Sequence, residues 1–79
     1  MKFIVYTKPN CHSCEEMKQA ITDKGHTYDS VDMSMLPKEE AASLRDWARK
    51  AGLRSMPIVR NNFTTQLITN EKMYEMLGE

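Results

Sequence analysis

Cys11 and Cys14 are the only two cysteines in the chain, three positions apart in the stretch YTKPNCHSCEEM that runs from Tyr6 to Met17. A pair at this spacing has three possible uses: a structural bridge, half of a metal site, or thiol–disulfide exchange. A permanent bridge closes so small a loop that it removes little entropy from the unfolded chain. A zinc site needs four ligands, and the chain offers His12 and His26 beside the two sulfurs. Adjacent residues such as Cys11 and His12 fit poorly into one tetrahedral shell, so no metal is expected. Exchange asks only for one sulfur that ionises near neutral pH and a second sulfur within reach.

The elements around the pair supply that difference between sulfurs. Phe3 to Tyr6 form a short continuous apolar run, the pattern of a central strand covered on both faces, and Lys8, Pro9 and Asn10 break it. From Ser13 to Lys24, Met17, Ala20 and Ile21 recur at helical spacing before Gly25 ends the helix. Cys11 therefore falls at the helix N-terminus, where unpaired N–H groups and the positive end of the dipole favour a thiolate. Cys14 lies one turn in, on the stripe of Met17 and Ile21, and is expected to be the buried, slower, resolving thiol. His12 has two readings, electrostatic support of the thiolate or a solvated loop residue. His26 follows a helix-ending glycine and reads as surface structure.

The rest of the chain completes one alternating domain spanning residues 1–79. His26 to Met33 is a second strand, and Pro37 to Ala51 a second helix with Ala41, Leu44, Trp47, Ala48 and Ala51 on its packed face. Ile58-Val59 and Gln66 to Ile68 flank a polar turn and read as a hairpin. A last helix, capped by Thr69 or Asn70, buries Met73, Met76 and Leu77. The order β-α-β-α-β-β-α predicts an α/β fold, a four-stranded mixed sheet flanked by helices. Eleven basic and eleven acidic residues cancel, which excludes the charge signature of a nucleic-acid binder or a polybasic membrane-surface protein. The apolar start is too short for the core of a signal peptide and nothing later approaches a membrane span, so a cytoplasmic protein is expected, and a reducing compartment favours reactive over permanent cysteine pairing; the chain is also expected to be a monomer.

The motif VYTKPNCHSC after a strand, SMPIV before the second half of the sheet, and the element order together resemble a glutaredoxin of the thioredoxin superfamily. The resemblance covers essentially the whole chain. It implies a thioredoxin/glutaredoxin-like fold and a dithiol–disulfide oxidoreductase with catalytic Cys11 and Cys14 and no bound cofactor. It further implies that Pro57 is cis against the disulfide, and that Met56 offers its backbone N–H and C=O to an incoming chain. Tyr6 and Lys8 fall on the rim of the glutathione groove, and His12, Thr69 and Asn70 complete the expected substrate-binding set. Glutathione is the implied reductant or substrate, and a disulfide-containing protein the implied partner.

Two departures bear on the partners. His12 and Ser13 replace the proline and tyrosine common between glutaredoxin cysteines, and Thr69-Asn70-Glu71 stand where most glutaredoxins have Gly-Gly. The redoxins that serve ribonucleotide reductase also lack that proline and draw electrons from thioredoxin reductase. Against these readings stands a non-enzymatic module of the same fold that keeps its thiols for zinc binding or partner sensing.

Overall fold

A computed structural model of the chain describes residues 2–53, 56–64 and 66–78, so Ser55 of the SMPIV motif and the terminal Met1 and Glu79 lie outside the described residues. Strand β1 (Lys2–Thr7) leads into helix α1 (His12–Asp23), strand β2 (Thr27–Asp32) and a 3₁₀ turn at Met33–Met35. Helix α2 (Lys38–Lys50), strands β3 (Ile58–Asn61) and β4 (Leu67–Ile68) and helix α3 (Asn70–Leu77) follow. The predicted order of strands and helices is the observed one, apart from the short 3₁₀ turn. Gly25 and Gly52, which close α1 and α2, take φ of 77° and 88°, the left-handed region where a Cβ is penalised.

The sheet order is β2-β1-β3-β4. The β1–β2 pair is parallel with Lys2 opposite Thr27 and Thr7 opposite Asp32, whereas β3 runs antiparallel to both β1 and β4. Alternate residues of a strand face opposite sides, and β1 uses this to build two cores. Phe3 and Val5 join Met17 and Ile21 of α1, Val59 of β3, and Met73 and Leu77 of α3. On the other face Tyr6 packs at the edge of a cluster formed by Met33, Ala41, Leu44, Ala48, Leu53 and Ile58. Burial of a side chain such as Met17 or Ile21, both fully enclosed, contributes about 1.5–3 kcal/mol. These contacts fix the start of α1 above the end of β1.

Helix α2 differs from its expected packing at two residues. Trp47 is 40% exposed and Ala51 is exposed, while the buried stripe is Ala41, Leu44 and Ala48. At 100° per residue Trp47 lies roughly 90° from the middle of that stripe, on its shoulder. Ala41, Leu44 and Ala48 make the buried contacts of α2 and leave the indole outside. Met76 is only half-buried beside the fully enclosed Met73.

Candidate active site

The site begins where β1 stops pairing. Asn10 takes φ 57°, a left-handed turn that asparagine tolerates better than most residues, and brings Cys11 into the N-cap position of α1. Its sulfur accepts a hydrogen bond from the Cys14 backbone N–H at 3.2 Å, and its carbonyl accepts from the Glu15 N–H at 3.3 Å. A sulfur thus does what a serine or aspartate oxygen does at most helix starts. Cys11 and Cys14 are joined as a disulfide. Cys11 retains 9% exposure and Cys14 only 1%, with Cys14 continuing the buried stripe of Met17 and Ile21. One sulfur is thus reachable and rests on the helix N-terminus, and the other lies beneath it.

The loop ahead of β3 forms the second wall. The Met56–Pro57 peptide bond is cis, Pro57 is almost completely buried, and Met56 is half-buried against the α2-side core. The two walls are tied by Ser13, whose hydroxyl donates to the Met56 carbonyl at 3.0 Å and lies 3.5 Å from the Cys11 sulfur. Ser13 is the site residue that sequence reasoning missed. Its signal was only a hydroxyl between two cysteines, without the distant partner that gives it meaning.

On the β2 side, Cys11 opens onto a polar cleft lined by Lys8, His12, Glu15, Lys18, Ser30 and Asp32 among others. Lys18 pairs with Glu15 at 3.2 Å. Asp32 accepts from the Ser34 hydroxyl at 2.7 Å and the Ser34 N–H at 2.9 Å, and these bonds hold its carboxyl below the usual range. Lys8 is exposed and makes no ion pair among the described residues, which leaves its ammonium available beside Cys11. The His12 imidazole sits 2.8 Å from Glu16 and is 89% exposed, directed along the helix. His26, half-buried, sets its ring edge-on to Phe3 at 5.9 Å between centroids, so the two histidines that a zinc site would recruit are engaged separately.

The remaining predicted groove residues do not converge with this cleft. Tyr6 lines a separate groove on the α2 face with Leu36, Glu39, Glu40, Leu44 and Trp47. Thr69 lines a third hollow along β4 and caps α3, its hydroxyl accepting from the Lys72 N–H at 3.2 Å. Asn70 is the first residue of that helix and is half-buried.

A four-stranded mixed sheet that presents a CxxC pair at a helix N-terminus, opposite a cis-proline loop, defines a dithiol protein of the thioredoxin-like class. Its fold matches the NrdH-redoxin of Escherichia coli over 99% of this chain and 92% of that one, with a TM-score of 0.69 at 23% identity. It likewise matches the glutaredoxin of Methanosarcina mazei Go1 over 99% of this chain and 79% of that one, with a TM-score of 0.68 at 25% identity. In sequence the chain is 32% identical over 59 residues to the glutaredoxin-like protein NrdH of Salmonella typhimurium, covering 75% of this chain and 67% of that protein. It is 33% identical over 60 residues to the N-acetyl-S-hydroxy-L-cysteine reductase of Bacillus subtilis, covering 75% of this chain but 59% of that longer relative. The glutaredoxin family model matches residues 3–62, and the chain belongs to the glutaredoxin family. It is a thiol–disulfide oxidoreductase, and the exchange chemistry of that family needs no bound cofactor. Among the described residues, no helix is long and apolar enough to cross a membrane.

Proposed function

We propose that the chain reduces protein disulfides with Cys11 as attacking thiolate and Cys14 as resolving thiol. The observation that carries this is the asymmetry at the start of α1, a reachable sulfur in the N-cap position and an enclosed one a turn below. The Cys11 thiolate attacks one sulfur of the partner disulfide, and the other partner sulfur leaves as thiolate. Cys14 then loses its proton and attacks the Cys11 sulfur, which releases the second partner sulfur and leaves the Cys11–Cys14 bond. Two electrons have passed to the partner. The Met56 backbone pairs with the incoming segment, Pro57 shapes its turn, and Lys8 faces any carboxylate that it carries.

The electron source fits thioredoxin reductase better than glutathione. The Thr69 hydroxyl already occupies the N–H of Lys72, and Glu71 places a negative charge in the first turn of α3. Both oppose a glutathione carboxylate there. With the NrdH resemblance, this makes ribonucleotide reductase the leading protein acceptor, served by a monomer in a reducing compartment. The similarity to an N-acetyl-S-hydroxy-L-cysteine reductase favours a second substrate class for the same sulfurs. On a small sulfenic acid, the Cys11 thiolate forms the mixed disulfide and hydroxide leaves as water after protonation, and Cys14 then frees the thiol.

The test is a pair of variants. Cys11→Ser should abolish exchange with every substrate, while Cys14→Ser should accumulate mixed disulfides with protein partners visible on non-reducing gels. Equal and complete loss of function in both variants, with no trapped species, would remove this division of labour.

A further inference from the structure

Ser13 stands between the two walls of the site with a single proton to donate. Its oxygen lies 3.0 Å from the Met56 carbonyl oxygen and 3.5 Å from the Cys11 sulfur, so reorienting the hydroxyl changes its acceptor without moving the backbone. Both acceptors are held in place. Met56 is anchored by the buried Pro57 and the α2-side core, and the first turn of α1 is pinned through Cys14 and Met17. What changes between the two redox states is the strength of one acceptor. In the disulfide the Cys11 sulfur is neutral and weak, and the carbonyl holds the proton. As a thiolate the same sulfur carries a full charge, and charge-assisted hydrogen bonds are about twice as strong as neutral ones.

We propose that Ser13 is a redox-coupled positioning residue whose hydroxyl donates to the Met56 carbonyl in the oxidised protein and to the Cys11 thiolate in the reduced one. This rests on the assignment of Cys11 as the attacking thiolate. In the reduced protein the Met56 carbonyl is free to pair with an incoming extended segment, when there are electrons to give. Once they have passed, the hydroxyl returns to the carbonyl and competes with the spent partner, which favours its release. No electron moves through Ser13. Only the direction of its O–H bond changes.

The carbonyl can be observed directly, because Met56 is the only methionine followed by proline in the chain. Labelling methionine with ¹³C at the carbonyl and proline with ¹⁵N therefore marks this one peptide bond for NMR. The wild type, Ser13→Ala and Ser13→Thr are compared in oxidised and reduced form, with the Cys11 pKa followed in each by its alkylation rate. In the wild type and Ser13→Thr, reduction should shift the carbonyl resonance in the direction of a lost hydrogen bond. In Ser13→Ala the resonance should sit near the reduced position in both states, and the Cys11 pKa should rise by about one unit, the lower end expected for a bond to a charged group. An equal carbonyl shift on reduction in Ser13→Ala and the wild type overturns the switch, as does an unchanged Cys11 pKa, and either leaves the role of Cys11 intact. A lower pKa at Cys14 than at Cys11 instead overturns the underlying assignment.

Discussion

Reduction of the disulfide should leave Cys11 the more readily ionised thiol and Cys14 protonated at neutral pH. Besides the Ser13 hydroxyl, two interactions stabilise the Cys11 thiolate. The positive end of α1 contributes about 1–2 kcal/mol at a partly buried site, and the Cys14 N–H that already points at the sulfur from 3.2 Å adds about 1.5–3 kcal/mol once the sulfur is charged. Two effects oppose them, the near-burial of Cys11 and the carboxylates of Glu15 and Glu16 on the following turn. The stabilising side outweighs the opposing one, so the Cys11 thiol is expected below the ordinary thiol value. Cys14, at 1% exposure and next to a thiolate, should titrate above 8.5, since burial and like charge both disfavour its ionisation. The assay is iodoacetamide alkylation of the fully reduced protein between pH 5 and 9, with each cysteine resolved by peptide mass. Cys11 should show a midpoint below the ordinary thiol value and, at pH 7, react at least about tenfold faster than Cys14. A Cys11 midpoint at or above about 8.5, or equal rates at the two sites, refutes the N-cap argument.

Further outcomes follow from other parts of the structure. Glycine at both Thr69 and Asn70 should lower the KM for glutathione several-fold while leaving turnover with thioredoxin reductase unchanged, and an unaltered glutathione KM means that these positions do not set donor choice. Met73→Ala, at a side chain with no exposure, should cost about 2–5 kcal/mol in urea unfolding, and a loss below about 1 kcal/mol would place α3 outside the cooperative core. Hydrogen bonds from Lys50 and then Arg49 hold the Asp46 carboxyl below the usual range. A depressed carboxylate stabilises the fold above its unfolded pKa and ceases to do so as pH falls through its folded pKa. Asp46→Asn should therefore lower Tm at pH 7, with the deficit shrinking at acid pH and in high salt, and a deficit that grows on acidification contradicts this ion pairing.

Legibility from sequence tracked how each element earns its place. β1 reads clearly because Phe3 and Val5 are buried on one face and Ile4 and Tyr6 half-buried on the other, which makes a continuous apolar run, and α1 because Met17 and Ile21 repeat on one side up to Gly25. β2 is an edge strand whose residues are mostly exposed or half-exposed, so it carried a weaker pattern and was placed with an extra residue at each end. The 3₁₀ turn at Met33–Met35 is too short for any periodicity to reveal. Trp47 misled because its spacing with the apolar residues of α2 was read as one face, whereas its helical angle places it on the shoulder of Ala41, Leu44 and Ala48. The positions of the cysteines at a strand-to-helix junction could be read locally, since capping is a matter of four or five consecutive residues. The Ser13–Met56 bond could not, because it joins residues 43 apart in sequence through the packing of α1 and the loop before β3 on one sheet.

The difference in access between the two sulfurs has a kinetic consequence. Because only Cys11 reaches the surface, donor and acceptor must visit the same spot and cannot occupy it together. The protein then works as a shuttle that alternates between two clients, with ping-pong kinetics and parallel lines in double-reciprocal plots. Excess of either client in its unreactive redox form slows the other by blocking the landing place. Flux through the shuttle therefore depends on how quickly each visitor departs as much as on how tightly it docks.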